Sequence, residues 1–146
     1  MNCAANGTIY PCRFVKNDPT NVGAILQCGA GDPIFGISQK FTDSPPLNDG
    51  VFPVDLDTGY AAIQGEQCGV YSFHDITGSG EILIETGAAI TNLQYPLKSD
   101  SSGRGIPVAS AGDQYGCYPL ELASGAGFYV KCQLVPPNQS YGGGVI

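Results

Sequence analysis

Phe128-Tyr129-Val130-Lys131-Cys132-Gln133-Leu134 alternates apolar and polar side chains over its whole length. A period of two places the Phe, Val, Cys and Leu side chains on one face of a strand and the Tyr, Lys and Gln side chains on the other. Gly127 precedes the stretch and Pro136 ends it shortly afterwards. The pattern predicts a β-strand with one face against a core.

Glycine and proline recur at short intervals along the whole chain. There are 21 Gly and 11 Pro in 146 residues, and no more than eight consecutive residues lack both. In a helix interior Gly costs about 1 kcal/mol and Pro about 3 kcal/mol, and globular helices average about 11–12 residues. We therefore expect an all-β fold, a small single-domain β-barrel or β-sandwich with extended N- and C-terminal arms.

Period-two alternation places the other strands. Glu81–Glu85 predicts a strand with Ile82 and Ile84 inward and the glutamates outward. Further strands are predicted at Cys12–Lys16, Ala24–Gln27, Ile34–Ser38, Tyr60–Ile63, Cys68–Phe73, Pro107–Ala109 and Cys117–Leu122. One short helix is predicted within Ala88–Tyr95.

The chain divides into a central domain and two arms. Residues 1–10 carry no charged side chain and little apolar periodicity, which predicts an extended N-terminal arm. Residues 11–135 form the barrel or sandwich domain, with a long loop at 43–57. Residues 136–146 begin with two prolines and contain three consecutive glycines, which predicts a flexible C-terminal arm.

Charge and composition limit the classes of molecule that the chain is expected to bind. The net charge is −7 with six Lys plus Arg, so the clustered cations that nucleic acids and anionic membranes require are missing. The N-terminus has neither a basic residue nor an apolar run of signal-peptide length, and we expect the chain to be made and folded in a cytoplasm. Because 42% of residues are hydrophobic and 13% charged, the surface should favour contact with other proteins.

Six cysteines, none of them spaced for a zinc knuckle, suggest buried thiols. They are Cys3, Cys12, Cys28, Cys68, Cys117 and Cys132. Cys12 alternates in phase with Phe14, and Cys132 is in phase with the apolar side of its strand, so both should point into a core. Cys3 is expected to be the accessible exception. Oxidation to one or more disulfides stays open, and no metal or cofactor is expected.

Two short patterns suggest catalysis. Asp57-Thr58-Gly59 is the tripeptide of aspartic proteases, in which two such loops share one proton. An apolar strand should lead into that aspartate, but Asp55 stands two residues before it. A turn is the favoured interpretation, with a homodimeric aspartic protease using Asp57 as an alternative.

The second pattern surrounds the single histidine, His74. Ser72 would share its face of a strand, whereas Asp75 would point to the opposite face and could not orient the imidazole. The glycines of Thr77-Gly78-Ser79-Gly80 lack the lysine and following helix of a phosphate loop, so a hairpin turn is expected. No catalytic residue is assigned, and we expect no enzymatic activity.

Five segments, taken in order, resemble the capsid decoration, or cement, proteins of tailed bacteriophages. They are Pro11–Lys16, Ala30–Gln39, Gly59–Glu66, Ile90–Gly105 and Ala126–Lys131. The resemblance implies a β-rich, non-enzymatic structural protein on the outer surface of the virion. Its implied partners are the major capsid protein, whose subunit contacts it stabilises, and further copies of itself, often as a homotrimer.

The two arms are the expected capsid contacts. An extended N-terminal arm could add a strand to the capsid through its backbone, and the C-terminal arm offers apolar anchors. The candidate contact residues are Asn2, Cys3, Ala4, Asn6, Thr8, Tyr10, Tyr141, Val145 and Ile146. The main alternative function is a glycan-binding, adhesin-like module on the virion surface.

Overall fold

Ten β-strands form the regular structure of the residues that the computed structural model describes, which are 2–38, 60–73 and 82–142. The strands are β1 (Asn2–Ala5), β2 (Phe14–Asn17), β3 (Ala24–Gln27), β4 (Gly36–Ser38), β5 (Gln67–Ser72), β6 (Ile82–Glu85), β7 (Leu97–Ser99), β8 (Gly105–Pro107), β9 (Gln114–Pro119) and β10 (Tyr129–Ser140). These described residues contain no α-helix. The predicted all-β class is confirmed.

The first five strands close into a barrel in the order β1-β3-β2-β4-β5. β1 is parallel to β3, while its other edge pairs antiparallel with β5 and closes the ring. The remaining barrel pairs are antiparallel. The interior is filled by small and medium side chains: Ala5, Ile9, Val15, Ile25, Ala61, Ala62, Cys68 and Val70.

The last five strands form a second sheet in the order β6-β10-β9-β7-β8. Its strand pairs are antiparallel, and a parallel bridge between Thr86 and Gly105 connects the end of β6 to β8. The sheet therefore curls towards itself. Thr86 is fully buried at this junction, where its hydroxyl donates to the Gly125 carbonyl at 2.8 Å and accepts the Phe128 N–H at 3.0 Å.

The barrel and the second sheet share a core because β2 is buried on both faces. Val15 points into the barrel, whereas Phe14 belongs to the cluster that the second sheet supplies. The Phe14 N–H also donates to the Gly103 carbonyl at 2.8 Å. Arg13 adds a polar link, since its guanidinium donates to the Glu85 carboxylate on β6 and to the Ser102 carbonyl.

Most strand predictions agree with the structure to within a few residues. Ile82 and Ile84 are buried and Leu83 between them is exposed, as the alternation predicts. The opening stretch becomes the N-terminal half of β10, with Val130, Cys132 and Leu134 buried.

The predicted N-terminal arm was wrong. Asn2–Ala5 is barrel strand β1, paired on both edges, and Ala5 and Ile9 are buried in the barrel. The segment lacks apolar periodicity because its inward side chains are small, and small side chains suit the narrow interior of a five-stranded barrel.

The predicted C-terminal arm was wrong for residues 136–140, which belong to β10. Pro136 and Pro137 fall where the register with β9 shifts between Leu134 and Gln139. Asn138 there has a φ of 65°. A bulge leaves backbone groups outside the ladder, so proline is tolerated and the strand continues beyond it.

Three smaller predictions also differ from the structure. Ala88–Tyr95 contains no helix, because Ile90 instead bridges Ala123 and Pro96 disfavours helical backbone before it. Tyr60–Ile63 contributes an isolated bridge to Ile9 rather than a strand. Cys12 is buried as expected but precedes β2, with a φ of 58°. The loop predicted at 43–57 lies outside the described residues.

Candidate interaction surface

Exposed apolar side chains lie on β6 and β10 and in the residues that connect β9 to β10. This outer face, as we name it, consists of Leu83, Leu120, Leu122, Phe128 and Tyr129, all of them exposed. Leu83 and Tyr129 point outward because their strand neighbours Ile84 and Val130 are core residues. Leu120 and Leu122 follow the end of β9 and Phe128 precedes β10, and their side chains are exposed there. A group of exposed apolar side chains on adjacent strands is typical of a protein–protein contact.

Strand register brings the members of the outer face together. Leu83 on β6 is opposite Lys131 on β10, and the Leu120 N–H donates to the Lys131 carbonyl at 2.8 Å. Tyr129 is opposite Glu85, and burial together with the charge of Glu85 raises the pKa of the Tyr129 hydroxyl. The tyrosine is therefore neutral at physiological pH and adds no charge to this face.

A second group lies on the barrel and consists of the exposed Tyr10 and Tyr60, which we name the tyrosine pair, and of Arg13, which is largely buried beside them. The two rings meet edge to face with centroids 5.0 Å apart, and the Arg13 guanidinium carbon lies 5.0 Å from the Tyr10 centroid. Because Arg13 is also bound to Glu85, the guanidinium holds the Tyr10 ring in place. The tyrosine pair presents a preorganised aromatic surface.

The predicted contact residues fall in different parts of the fold. Ala4, Thr8 and Tyr10 are exposed, whereas Cys3, Asn6 and Tyr141 are partly buried. The backbone of Asn2 pairs with Gly69 in the barrel. Tyr141 lies beyond β10, where its N–H donates to the Asp113 carbonyl at 2.7 Å. Val145 and Ile146 lie outside the described residues.

Strand addition through the N-terminus, the predicted mode of capsid binding, was wrong for Asn2–Ala5. One edge of β1 pairs with β3 and the other with β5. A strand paired on both edges has no row of backbone groups left for another chain. Contacts from the N-terminal residues would have to come from exposed side chains such as Tyr10.

All six cysteines are described and carry thiols rather than disulfides. Five are buried and Cys3 is intermediate, as the sequence predicts. Burial raises the pKa of the Cys28 thiol to about 12, with the Asp32 charge as a smaller cause. Burial also raises the pKa of Cys117 well above its usual value, and contact with Cys132 adds to the shift.

The candidate catalytic patterns lie largely outside the described residues. Asp57 and His74 are both in undescribed segments, while Ser72 is buried in β5. Within residues 2–38, 60–73 and 82–142, no group of three or more His, Cys, Asp or Glu side chains is placed to hold a metal ion. No helix in that part of the chain is long and apolar enough to cross a membrane.

The comparisons with known proteins reach only the fold. No family model matches the chain, and no curated protein matches it. Among solved structures, the chain is similar to the N base of head fiber gp8.5 of bacteriophage phi29, with a TM-score of 0.55 and 11% sequence identity over 97% of each chain. The two chains share a fold.

Sequence reasoning did not single out the outer face. The signal was present for Leu83, which stands between two inward isoleucines and is in phase with outward glutamates. Leu120 and Leu122 were harder to assign, because both were included in a predicted strand that ends at Pro119. Tyr60 carried no signal, since its contact with Tyr10 depends on barrel closure.

Proposed function

We propose that this chain is a non-enzymatic structural protein of a bacteriophage virion, bound to the outer surface of the capsid. The similarity to a head fiber base over nearly the full length of both chains carries the proposal. The five segments that resemble, in sequence order, the capsid decoration proteins support the proposal independently. The finer role is stabilisation of contacts between major capsid protein subunits.

Two surfaces serve two partners in this proposal. The outer face carries five exposed apolar side chains beside Lys131, which suits association with further copies of the chain as a homotrimer. The tyrosine pair is a smaller surface that Arg13 supports from below, and tyrosine is a residue type enriched at binding hot spots. We assign it to the major capsid protein, together with the exposed side chains of Ala4 and Thr8.

The proposal is tested by the protein composition of purified virions. Quantitative mass spectrometry should find the chain at a fixed ratio to the major capsid protein, and antibodies should label it on intact particles. Its presence in infected cells but absence from purified particles would contradict a structural role.

The exposed tyrosine pair also favours a second candidate function, a glycan-binding module, because tyrosine rings stack on sugars. A glycan array distinguishes the two functions. Saturable sugar binding that is lost in Tyr60→Ser, without capsid binding, would favour the glycan-binding module.

A further inference from the structure

Cys3 and Cys68 meet across the seam that closes the barrel. They are directly opposite in the antiparallel pair of β1 and β5. Opposed residues in such a pair have Cα atoms about 4.5–5.5 Å apart and side chains on the same face. Disulfides span Cα separations of about 4.4–6.8 Å, so the backbone already has the spacing that a bridge needs.

The side chains agree with the backbone. Cys68 is completely buried in the barrel cluster, and Cys3 packs against that same cluster. Burial raises the pKa of the Cys68 thiol to about 12, with the nearby Cys3 as a further cause. The two sulfur-bearing side chains therefore face one another inside the barrel wall.

Access singles out this pair. Cys3 is the one cysteine of the six that is not buried. Cys117 and Cys132 also approach each other, on β9 and β10, but both are enclosed in the core. A soluble oxidant can therefore reach Cys3 first, and the thiol opposite Cys3 is Cys68.

We propose that Cys3 and Cys68 form a redox-dependent staple that locks the N-terminal strand into the barrel. With a small-molecule disulfide such as oxidised glutathione, the Cys3 thiolate attacks one sulfur and releases one glutathione thiolate. The Cys68 thiolate then attacks the Cys3 sulfur and displaces the second glutathione. The two thiols lose two electrons and two protons in total, and one glutathione disulfide becomes two glutathione thiols.

The staple would form outside a reducing cytoplasm, where disulfides persist. It would close a loop from Cys3 to Cys68 that contains most of the barrel, and cross-links over long loops stabilise by restricting the unfolded chain. The pairing follows from the barrel alone and does not depend on the proposed function.

The test is oxidation of the folded, full-length chain with oxidised glutathione, followed by alkylation and non-reducing peptide mapping. We expect one disulfide, between the peptides that contain Cys3 and Cys68, with the other four cysteines alkylated only after unfolding. The oxidised protein should melt about 5 °C or more above the reduced one. The thiolate is the attacking species, and burial holds the pKa of Cys68 above this range. The thiolate fraction, and with it the rate of cross-linking, should therefore rise between pH 7 and pH 9.

Two variants make the result specific. Cys3→Ser alters a partly exposed side chain and should abolish both the cross-link and the rise in melting temperature. Cys68→Ala, checked for folding by circular dichroism, should stop at a mixed disulfide between Cys3 and glutathione. A wild-type protein that also stops at the mixed disulfide, that stays reduced, or that pairs Cys3 with another cysteine would overturn the proposal.

Discussion

At the scale of single residues, the junction between barrel and second sheet depends on Gly116. A Cβ atom at this position would lie 2.6 Å from Ile34 Cγ2 and 2.9 Å from Phe14 Cε1. Both neighbours are buried side chains of the shared core. The glycine on β9 is needed because Phe14 and Ile34 pack directly against its backbone, opposite the register shift in β10.

Gly116→Ala should therefore destabilise the protein by about 1–3 kcal/mol through overpacking. Gly125→Ala is the matched control, since a Cβ there meets nothing within 4 Å. Urea unfolding at constant pH measures both variants. Equal midpoints for Gly116→Ala and wild type would show that the core relaxes around the added methyl group.

Asp113 controls part of the acid stability. Its carboxylate accepts hydrogen bonds from the backbone N–H groups of Ala109 and Ser110 and forms an ion pair with Lys98. These interactions lower its pKa from 3.8 to about 2. A lowered pKa in the folded state stabilises the protein above the unfolded pKa. The contribution is lost as the pH falls from about 4 to about 2.

Asp113→Asn removes that contribution. We expect wild type to be more stable than the variant at pH 7, with the difference in unfolding midpoint shrinking between pH 4 and pH 2. Other acidic groups, such as Asp18 and Asp32, change both proteins equally. A difference that stays constant over this pH range would mean that the Asp113 carboxylate is not held ionised by its partners.

At the scale of elements, β1 determines whether the barrel closes. The Ala5 N–H donates to the Glu66 carbonyl and the Asn6 N–H to the Ile25 carbonyl, so this one strand joins β3 to β5. Ala5 points inward with 3% of its surface exposed, whereas Ala4 points outward.

Ala5→Asp should abolish cooperative folding or lower the melting temperature by at least 10 °C, because an unpaired charge would be buried in the barrel. Ala4→Asp is the control on the opposite face of the same strand and should melt within a few degrees of wild type. Thermal unfolding followed by circular dichroism compares them. Equal tolerance of both substitutions would restore the interpretation of this segment as an arm outside the barrel.

The strands that sequence predicted well and those it missed differ in their side chains. Strands such as β6 and β10 alternate large apolar and polar residues, and their alternation predicted both position and inward face. β1 has only small residues, and β7 (Leu97–Ser99) is too short for a visible period. Prolines in β10 suggested an end because a bulge, which sequence does not reveal, accommodates them. The candidate surfaces join residues far apart in the sequence through strand pairing and barrel closure, so sequence alone indicated only Tyr10 among their tyrosines.

At the scale of the whole molecule, the outer face is assigned to self-association. The double variant Leu120→Ser/Leu122→Ser removes two exposed leucines without touching the core. We expect wild type to have a light-scattering mass near three times the 15.1 kDa chain mass, and the variant to dissociate. Val22→Ser, at a fully exposed side chain between β2 and β3 of the barrel, is the control and should remain trimeric. A wild-type monomer at micromolar concentration would contradict self-association in solution.

The tyrosine pair is the surface that we propose contacts the capsid. Its rings are held by each other and by Arg13, so little ordering is needed on binding. A preorganised aromatic group of this kind can contribute a large share of the free energy of binding. Capsid binding should therefore be sensitive to Tyr10 and insensitive to exposed tyrosines elsewhere on the barrel, such as Tyr71 on β5.

Co-sedimentation with expanded, empty capsids measures directly whether the chain binds the capsid surface. Wild-type protein should bind until it saturates at a fixed number of copies per capsid. Tyr10→Ser should bind at least tenfold more weakly, a loss of about 1.4 kcal/mol, while Tyr71→Ser binds like wild type. Folded wild-type protein that stays in the supernatant at every concentration, or that never saturates, would contradict a role as a structural protein of the capsid surface.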